Sequence, residues 1–199
     1  MEAGSGLILS CSPRRGGNCD SAARLLAEEL HQCGFHYGVE RLTDHKLRPC
    51  TACGYCDRHA GSCALDGEGD EAGALLGRLS HASPLCCSIL VSPVYFYHLP
   101  AQLKALMDRS QRWWNAEETS RPALGTALAP VLVAARPRGD KLFAGAMLSL
   151  KYMALTMGFE LLPPLLLYGL DDARAFLRSG EARSAVEGYA RALAERGSL

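Results

Sequence analysis

The sequence predicts an α/β protein built on a doubly wound parallel sheet of five strands, with helices on both faces. Three observations lead to this fold class. Short apolar runs alternate along the chain with amphipathic runs of helical period. The third apolar run, "LCCSILVS", suits a strand in the middle of a parallel sheet. The length of 199 residues suits one sizeable core, so we expect a single domain over residues 1–199.

The first half of the chain supplies two strands, two helices and one long loop. The apolar run 7–11 predicts a strand. Residues 18–33 carry apolar side chains at helical spacing, and a glycine follows them. Residues 37–42 predict a second strand. Residues 46–69 are rich in cysteine, glycine and charge without any period, which indicates a functional loop before a helix over 71–80.

The second half of the chain supplies three more strand and helix pairs. Residues 85–92 predict the third strand, and 99–114 a helix with proline in its first turn. Residues 127–135 and 143–157 predict the next strand and helix. Two prolines interrupt a fifth strand over 159–168, and a closing helix follows over 179–196. Five such strands suit the flavodoxin-like order 2-1-3-4-5, whose ligand lies at the carboxyl ends of the first and third strands.

Charge and composition exclude several classes of function. The 21 Lys and Arg balance the 21 Asp and Glu, so no overall field favours nucleic acid, a membrane surface or an acidic partner. No apolar run reaches membrane-spanning length, and "MEAGSG" lacks the pattern of a signal peptide. We therefore expect a cytoplasmic protein whose nine cysteines ligate metal or stay reduced rather than form a disulfide framework.

The loop "SCSPRRGGNC" between the first strand and helix predicts an anion site. Backbone amides and the positive end of a helix favour a phosphate there, and hydroxyl, amide and guanidinium groups add donors. It lacks the lysine of a Walker A loop. The alternative is a solvated loop in which an asparagine caps the helix. The candidate residues are Ser10, Ser12, Arg14, Gly17, Asn18 and Cys19.

The segment "SPVYFYHLPAQLKALMDR" after the third strand predicts an aromatic wall beside that loop. Flat apolar side chains next to an anion loop suit a planar ring that carries a phosphate tail. The alternative is a loop whose aromatic side chains pack on the following helix. The candidate ring contacts are Pro93, Val94, Tyr95 and Phe96.

The two motifs together resemble those of the flavodoxin-like NAD(P)H-dependent FMN reductases. The resemblance implies FMN, with its phosphate held by Ser12, Arg14, Asn18 and Cys19, where relatives usually have Ser or Thr in place of the cysteine. The second loop would border the isoalloxazine ring. The loop after the fourth strand usually adds a further contact, which the resemblance places at Ala135 and Arg136.

Four cysteines are gathered in the loop 47–66 with the spacing C-x2-C-x2-C-x6-C: Cys50, Cys53, Cys56 and Cys63. Thiolates suit iron-sulfur clusters and zinc. The spacing resembles that of the iron-sulfur flavoproteins, a branch of the same family, which implies a [4Fe-4S] cluster. A loop without metal and a structural zinc site remain the alternatives.

The resemblance implies an FMN-dependent oxidoreductase of the iron-sulfur flavoprotein type. It would transfer electrons between NAD(P)H or a reduced carrier and an acceptor such as a quinone, a flavin or an oxygen species. A redox partner and a homodimer or tetramer are expected. The alternatives are an NAD(P)H-dependent FMN or quinone reductase without a cluster, a flavodoxin-like electron carrier, and a sensor that binds flavin or metal without catalysis.

Overall fold

A computed structural model describes residues 5–67, 69–82, 86–117 and 121–197 of the chain. The predicted start of the third strand, Leu85, lies outside these residues. A parallel sheet with the order β2-β1-β3-β4-β5 confirms the predicted fold class. The strands are β1 (Ser5–Ser10), β2 (His36–Arg41), β3 (Cys87–Pro93), β4 (Ala127–Val133), β5 (Glu160–Leu161) and β6 (Leu165–Leu167).

The predicted fifth strand is present as two short pieces that pair with the same neighbour. The first piece, β5, pairs with the start of β4, and β6 pairs with its end, in the registers Ala127↔Glu160 and Val131↔Leu165. Pro163 and Pro164 lie between the two pieces. Proline has no N–H to donate to a ladder, so the strand breaks there and resumes at Leu165.

Helices cover both faces of the sheet. The predicted helix over 99–114 is shorter than expected and ends in a 3-10 turn, Ser110–Trp113. A short helix over 175–178 was not predicted. No helix of the described ranges is long and apolar enough to cross a membrane. The helices are α1 (Asn18–Gln32), α2 (Ala72–Ser80), α3 (Ala101–Arg109), α4 (Ala144–Met157), α5 (Ala175–Arg178) and α6 (Gly180–Gly197).

The core consists of two apolar layers, one on each face of the sheet. Successive strand residues point to opposite faces, so Ile8 packs in one layer and Leu9 in the other. The layer around Leu9 includes residues of α2, α3 and α4, and the layer around Ile8 includes residues of α1, α5 and α6. The parallel strands all end at one edge, and the loops of the candidate site leave from that edge.

Candidate functional site

Three candidate loops leave neighbouring strands of the sheet. Ser10 lies in register with Val91, and Pro93 with Val133, so β1, β3 and β4 end side by side. The backbone N–H of Cys11 also donates to Val91 O at 2.8 Å. The crevice beyond these strand ends is where ligands of open parallel sheets bind. The sheet therefore brings the anion loop, the aromatic loop and the loop after β4 together.

The anion loop is built around the buried carboxylate of Asp20. Ser10 Oγ–H donates to Asp20 Oδ1 at 2.5 Å, and the Gly16 N–H donates to Asp20 Oδ2 at 2.6 Å. Arg41 Nε lies 3.0 Å from the same Oδ2, and Arg41 Nη2 donates to Ser12 O at 3.3 Å. Gly16 has a φ of +69°, a conformation that glycine adopts without steric cost. Asp20 therefore determines the shape of the loop, and the Arg41 guanidinium offsets its charge.

The side chain of Asn18 is fully engaged away from the loop. Its Nδ2 donates to Leu170 O at 3.0 Å and to Asp172 O at 2.8 Å, while its Oδ1 accepts from the Phe176 N–H at 3.0 Å. The carboxamide thus ties the start of α1 to the segment after β6. The group that Asn18 leaves for an anion is its backbone N–H, because the first N–H groups of a helix have no intrahelical acceptor.

The donors that remain in the loop are free to hold an anion, and we call them the anion cradle. Ser12 Oγ accepts from the Arg14 N–H at 3.2 Å, which leaves its own O–H to donate. The exposed side chain of Arg14 lies over Gly17, where an added Cβ would stand 3.3 Å from Arg14 Cδ. Cys19 is buried, and burial and then the Asp20 charge raise the pKa of its thiol. Cys19 can therefore contribute its backbone N–H, but its thiol belongs to the core.

The aromatic loop closes in a tight two-residue turn. Tyr95 and His98 exchange two backbone hydrogen bonds of 2.9 Å. The two residues between them, Phe96 and Tyr97, have φ values of 50° and 62°. Such a pair of left-handed residues makes a type I′ turn, which usually takes Asn and Gly. The turn leaves the Phe96 side chain fully exposed, at 101%.

Neighbouring groups hold this turn in place. Arg136 Nη1 donates to Tyr97 Oη at 2.6 Å, and the guanidinium lies 5.8 Å from the centre of the same ring. His98 Nδ1 accepts from the Leu99 N–H at 2.9 Å, so Nε2 carries the proton of the neutral ring and bonds Ser149 Oγ at 2.9 Å. His98 therefore has a structural contact through each ring nitrogen.

The other predicted ring contacts lie around the turn. Pro93 is buried at the end of β3, and the Val94 N–H donates to Val133 O at 2.9 Å, so that amide is not free. Tyr95 is 43% exposed. Ala135 is exposed beside Arg136, at the start of the loop after β4. The structure therefore brings these residues to one edge of the sheet, and their contacts with a flavin stay a prediction.

All four loop cysteines line one cavity of about 490 Å³, together with residues of α3 and its 3-10 turn. Burial, followed by the charge of Asp57 and then by the nearby Cys50 and Cys63 thiols, raises the pKa of Cys56. A metal would displace the thiol protons on binding. Within the described ranges, no group of three or more His, Cys, Asp or Glu is arranged to hold a metal ion. The cavity thus gathers four thiols without packing them around one point.

A network of ion pairs, centred on the buried Arg109, holds the ends of this loop. Arg109 Nη1 donates to Asp70 Oδ2 at 2.9 Å and to Arg48 O at 3.0 Å, while Nη2 donates to Asp66 Oδ1 at 2.9 Å. Arg112 Nη2 donates to Asp66 Oδ1 at 2.8 Å. Burial alone would raise the pKa of Asp70, but hydrogen bonds from Arg109, Arg48 and Ala72 hold it below its usual range.

The family model described as NADPH-dependent FMN reductase matches residues 6–156, more than half of the chain. The chain belongs to this family. The match begins in β1 and ends in α4, so it includes the anion loop, the cysteine loop and the aromatic turn. Family membership confirms the resemblance that the sequence motifs indicated.

Two curated relatives are iron-sulfur flavoproteins. The protein of Methanosarcina thermophila is 35% identical over 102 residues, which cover 51% of this chain and 50% of the relative. The protein of Archaeoglobus fulgidus is 35% identical over 98 residues, which cover 49% of this chain and 41% of the relative. The chain spans about half the length of the curated relatives it matches.

Solved structures share the fold of this FMN reductase family member. A structure described as a flavone reductase has a TM-score of 0.74 at 13% identity, covering 98% of this chain and 63% of that chain. An NAD(P)H:quinone oxidoreductase from Methanothermobacter marburgensis has a TM-score of 0.67 at 17% identity, covering 96% of this chain and 94% of that one. At such identities the likeness shows the fold alone.

Several residues that shape the site were not predicted from the sequence. Asp20 in the first turn of a helix is an ordinary partner of the helix dipole, and nothing in its neighbours indicates that it is buried. Gly145 at the start of α4 is needed because an added Cβ would lie 2.7 Å from Tyr97 O. Arg109 follows an amphipathic run, where an arginine is usually exposed, so its sequence position does not indicate that it is buried. Each of these roles depends on a partner far away in the chain.

Proposed function

We propose that this protein is an FMN-dependent NAD(P)H oxidoreductase of the iron-sulfur flavoprotein type. The observation that carries the proposal is the placement of an anion cradle and an exposed aromatic turn at neighbouring strand ends. Free N–H groups at the start of α1, with Ser12 and Arg14, would hold the FMN phosphate. Tyr95 and Phe96 would border the ring.

When bound, FMN supplies the redox chemistry, since its ring takes up two electrons as a hydride or passes electrons singly. The residues of the chain bind and orient it. The Asp20–Arg41 pair keeps the loop in the shape that presents its amides. The Arg136–Tyr97 contact holds the aromatic turn at the crevice, where it limits access to the ring.

The cysteine cavity supplies the four thiols that a cubane cluster needs. A tetrahedral zinc needs its four sulfurs within roughly 4 Å of each other, because each Zn–S bond is about 2.3 Å long. A cubane spreads its four ligands over four iron atoms and needs them further apart. Four thiols that line one cavity from separate points of the loop are compatible with the wider arrangement. Cys50, Cys53, Cys56 and Cys63 would hold the cluster, which would pass electrons one at a time.

The second candidate is an NAD(P)H-dependent FMN or quinone reductase whose cysteine loop stays without metal. The lack of a compact metal-binding group in the described residues favours it. The acceptor of either enzyme would be a small molecule or a redox protein. The nine cysteines are all free thiols, which fits a reducing compartment such as the cytoplasm.

We also propose a homodimer that buries one face of α4. Leu148, Tyr152 and Leu155 recur at helical spacing and are 58%, 48% and 51% exposed. Such a stripe pairs well with its own copy across a two-fold axis, because the same apolar surface is then covered on both chains.

Anaerobic purification and reconstitution of the full chain test the assignment. We expect one FMN and roughly four irons per chain, with FMN that NADPH bleaches. Cys53→Ser should abolish iron binding and leave FMN in place, because the anion loop and the aromatic turn lie elsewhere. Cys33→Ser is the matched control, since Cys33 is also a free, exposed cysteine but lies at the end of α1. FMN and NADPH bleaching without iron would favour the second candidate, and one zinc per chain would refute the cluster.

A further inference from the structure

Arg109 is the largest side chain that is fully buried in the described residues, and the proposed chemistry gives it no role. It is the last residue of α3. A buried guanidinium loses its hydration, so it is stable only where partners surround it. Its side chain bonds Arg48, Asp66 and Asp70, which lie at or next to the two ends of the loop that carries the four cysteines. The guanidinium therefore holds that loop.

The guanidinium reaches both arms of the cysteine loop at once. On the first arm it donates to the carbonyl of Arg48, two residues before Cys50, at 3.0 Å. On the second arm it donates to Asp66, three residues after Cys63, and to Asp70, each at 2.9 Å. One planar group therefore bridges the entry and the exit of the segment that carries the candidate ligands.

The two arms also bond each other at the same point. The Arg48 N–H donates to Asp70 Oδ2 at 2.8 Å, and Arg48 Nη2 donates to Leu65 O at 2.7 Å. Closing a loop costs chain entropy, which these bonds offset before any metal is present. Arg109 adds what the other bonds do not, because it fixes the closed loop to α3. The cavity is lined by the four cysteines and by Met107, Asp108 and Gln111 on either side of Arg109.

The Nε donor of the guanidinium remains unused. Within the described part of the chain, Arg109 Nε is buried and has no hydrogen-bond partner. The thiol of Cys63 lies near enough to interact with the same guanidinium. A metal-bound cysteine is a thiolate, and its sulfur accepts hydrogen bonds from nearby N–H groups. The guanidinium therefore has an unused donor and lies close to a candidate ligand.

We propose that Arg109 is a positioning residue for the cysteine site: it holds both loop arms against α3 so that the four thiols face one cavity before metal binds, and its Nε–H donates to the Cys63 sulfur once that sulfur ligates. The second part rests on the proposed iron-sulfur function. The first part concerns the metal-free chain.

Arg112 provides the matched comparison. It also pairs with Asp66, and its backbone carbonyl accepts from the Gly61 N–H at 2.9 Å. Its side chain, however, has no contact with Arg48 or Asp70 among the hydrogen bonds and ion pairs of the described residues. Arg109→Lys keeps the positive charge but loses the planar guanidinium, whose donors reach both arms of the loop. Arg112→Lys makes the same replacement at a residue whose side chain bonds only one arm.

Hydrogen exchange of the metal-free full chain, read on peptides that cover residues 50–63, tests the first part. Arg109→Lys should speed exchange there about tenfold, as expected for the loss of a hydrogen bond to a charged group, and Arg112→Lys should change it far less. Equal exchange in the wild type and Arg109→Lys would overturn the proposal, as would equal effects of the two variants. The lysine retains a buried partner for Asp70, and FMN binding reports whether each variant folds.

Anaerobic reconstitution with iron and sulfide separates this proposal from the proposed function. We expect Arg109→Lys to take up less iron than the wild type, and its cluster to have a lower reduction potential because the Cys63 sulfur has lost a donor. If the wild type takes up no iron while Arg109 still protects its loop from exchange, that result would refute the cluster and support the positioning role of Arg109 in the metal-free chain. Full iron and an unchanged potential in Arg109→Lys refute the role at the sulfur.

Discussion

Asp20 shows how a single residue can decide the shape of a ligand loop. A carboxylate beside an anion site opposes an anion, yet this one is buried within the anion loop. It accepts hydrogen bonds from Ser10 and Gly16, and it pairs with Arg41. The ion pair brings the local charge back toward zero, and the backbone N–H groups that remain can then face a phosphate.

Replacing Asp20 with Asn should therefore destabilise the fold and weaken FMN binding together. The amide cannot accept all of these bonds, and Arg41 loses its buried partner, so we expect a cost of about 3 kcal/mol in the free energy of unfolding. Denaturant titration measures it. Asp44→Asn is the control, because Asp44 also pairs with Arg41 but its side chain is 44% exposed, and it should cost less than about 1 kcal/mol. Equal costs would contradict this account.

Asp70 should make the free energy of unfolding of the chain decrease at low pH. Its pKa is held below the usual range in the native state, so the unfolded chain binds the proton more tightly. The contribution is complete above the unfolded pKa of about 3.9 and is lost as the pH falls through the native pKa.

The measurement is the free energy of unfolding of the wild type and of Asp70→Asn, from about pH 6 down to pH 3. Asp70→Asn should be less stable at pH 6, and its stability should fall less steeply toward acid because the group no longer titrates. Parallel pH profiles for the two proteins would show that Asp70 does not carry the effect.

The turn from Tyr95 to His98 is an element whose sequence opposes its conformation. Type I′ turns favour Asn and Gly, because both central residues have positive φ. Here both positions hold aromatic residues. The turn is held by the hydrogen bond from Arg136 to Tyr97 and by the backbone pair of Tyr95 and His98, and Gly145 leaves room for the Tyr97 carbonyl. Backbone strain that exposes an aromatic ring at a ligand crevice is typical of functional sites.

Phe96→Asn should stabilise the fold while impairing the site. Asparagine adopts the left-handed conformation more readily, so we expect a gain of about 1 kcal/mol, which raises the melting temperature by roughly 2–4 °C. The same variant should shift the absorbance bands of bound FMN, because a ring that borders the isoalloxazine is lost. Tyr95→Phe, which keeps a ring, should change neither. An unchanged flavin spectrum in Phe96→Asn would assign the ring to packing or to another partner.

The exposed face of α4 determines how we expect whole chains to associate. Leu148→Glu with Leu155→Glu should convert the proposed dimer into a monomer, since each copy would place two carboxylates in an apolar contact. Light scattering gives the mass in solution. Leu177→Glu is the control, because Leu177 is 56% exposed but lies on α5. A wild-type monomer, or a dimer that survives the double substitution, would refute the interface.

The fold class and the location of the candidate loops follow from local patterns in the sequence. Short apolar runs identify the strands and a period of 3.6 residues identifies the helices, because burial acts on local patterns, and the strand order places the loops at one edge. The grouping of four cysteines within fourteen residues is likewise local. These features could be predicted because neighbours along the chain carry the information.

Which polar groups are left for a ligand depends on contacts between distant parts of the chain. Asn18 was predicted to hold the phosphate through its side chain, yet that side chain bonds a segment about 150 residues away. Arg109 reaches loop arms 61 and 43 residues away along the chain. A hydrogen-bond donor satisfies whichever acceptor the folded chain brings close, and local sequence does not encode that distance. The sequence therefore predicted where the loops lie. It did not predict which of their hydrogen-bond donors bond within the fold and which remain for a ligand.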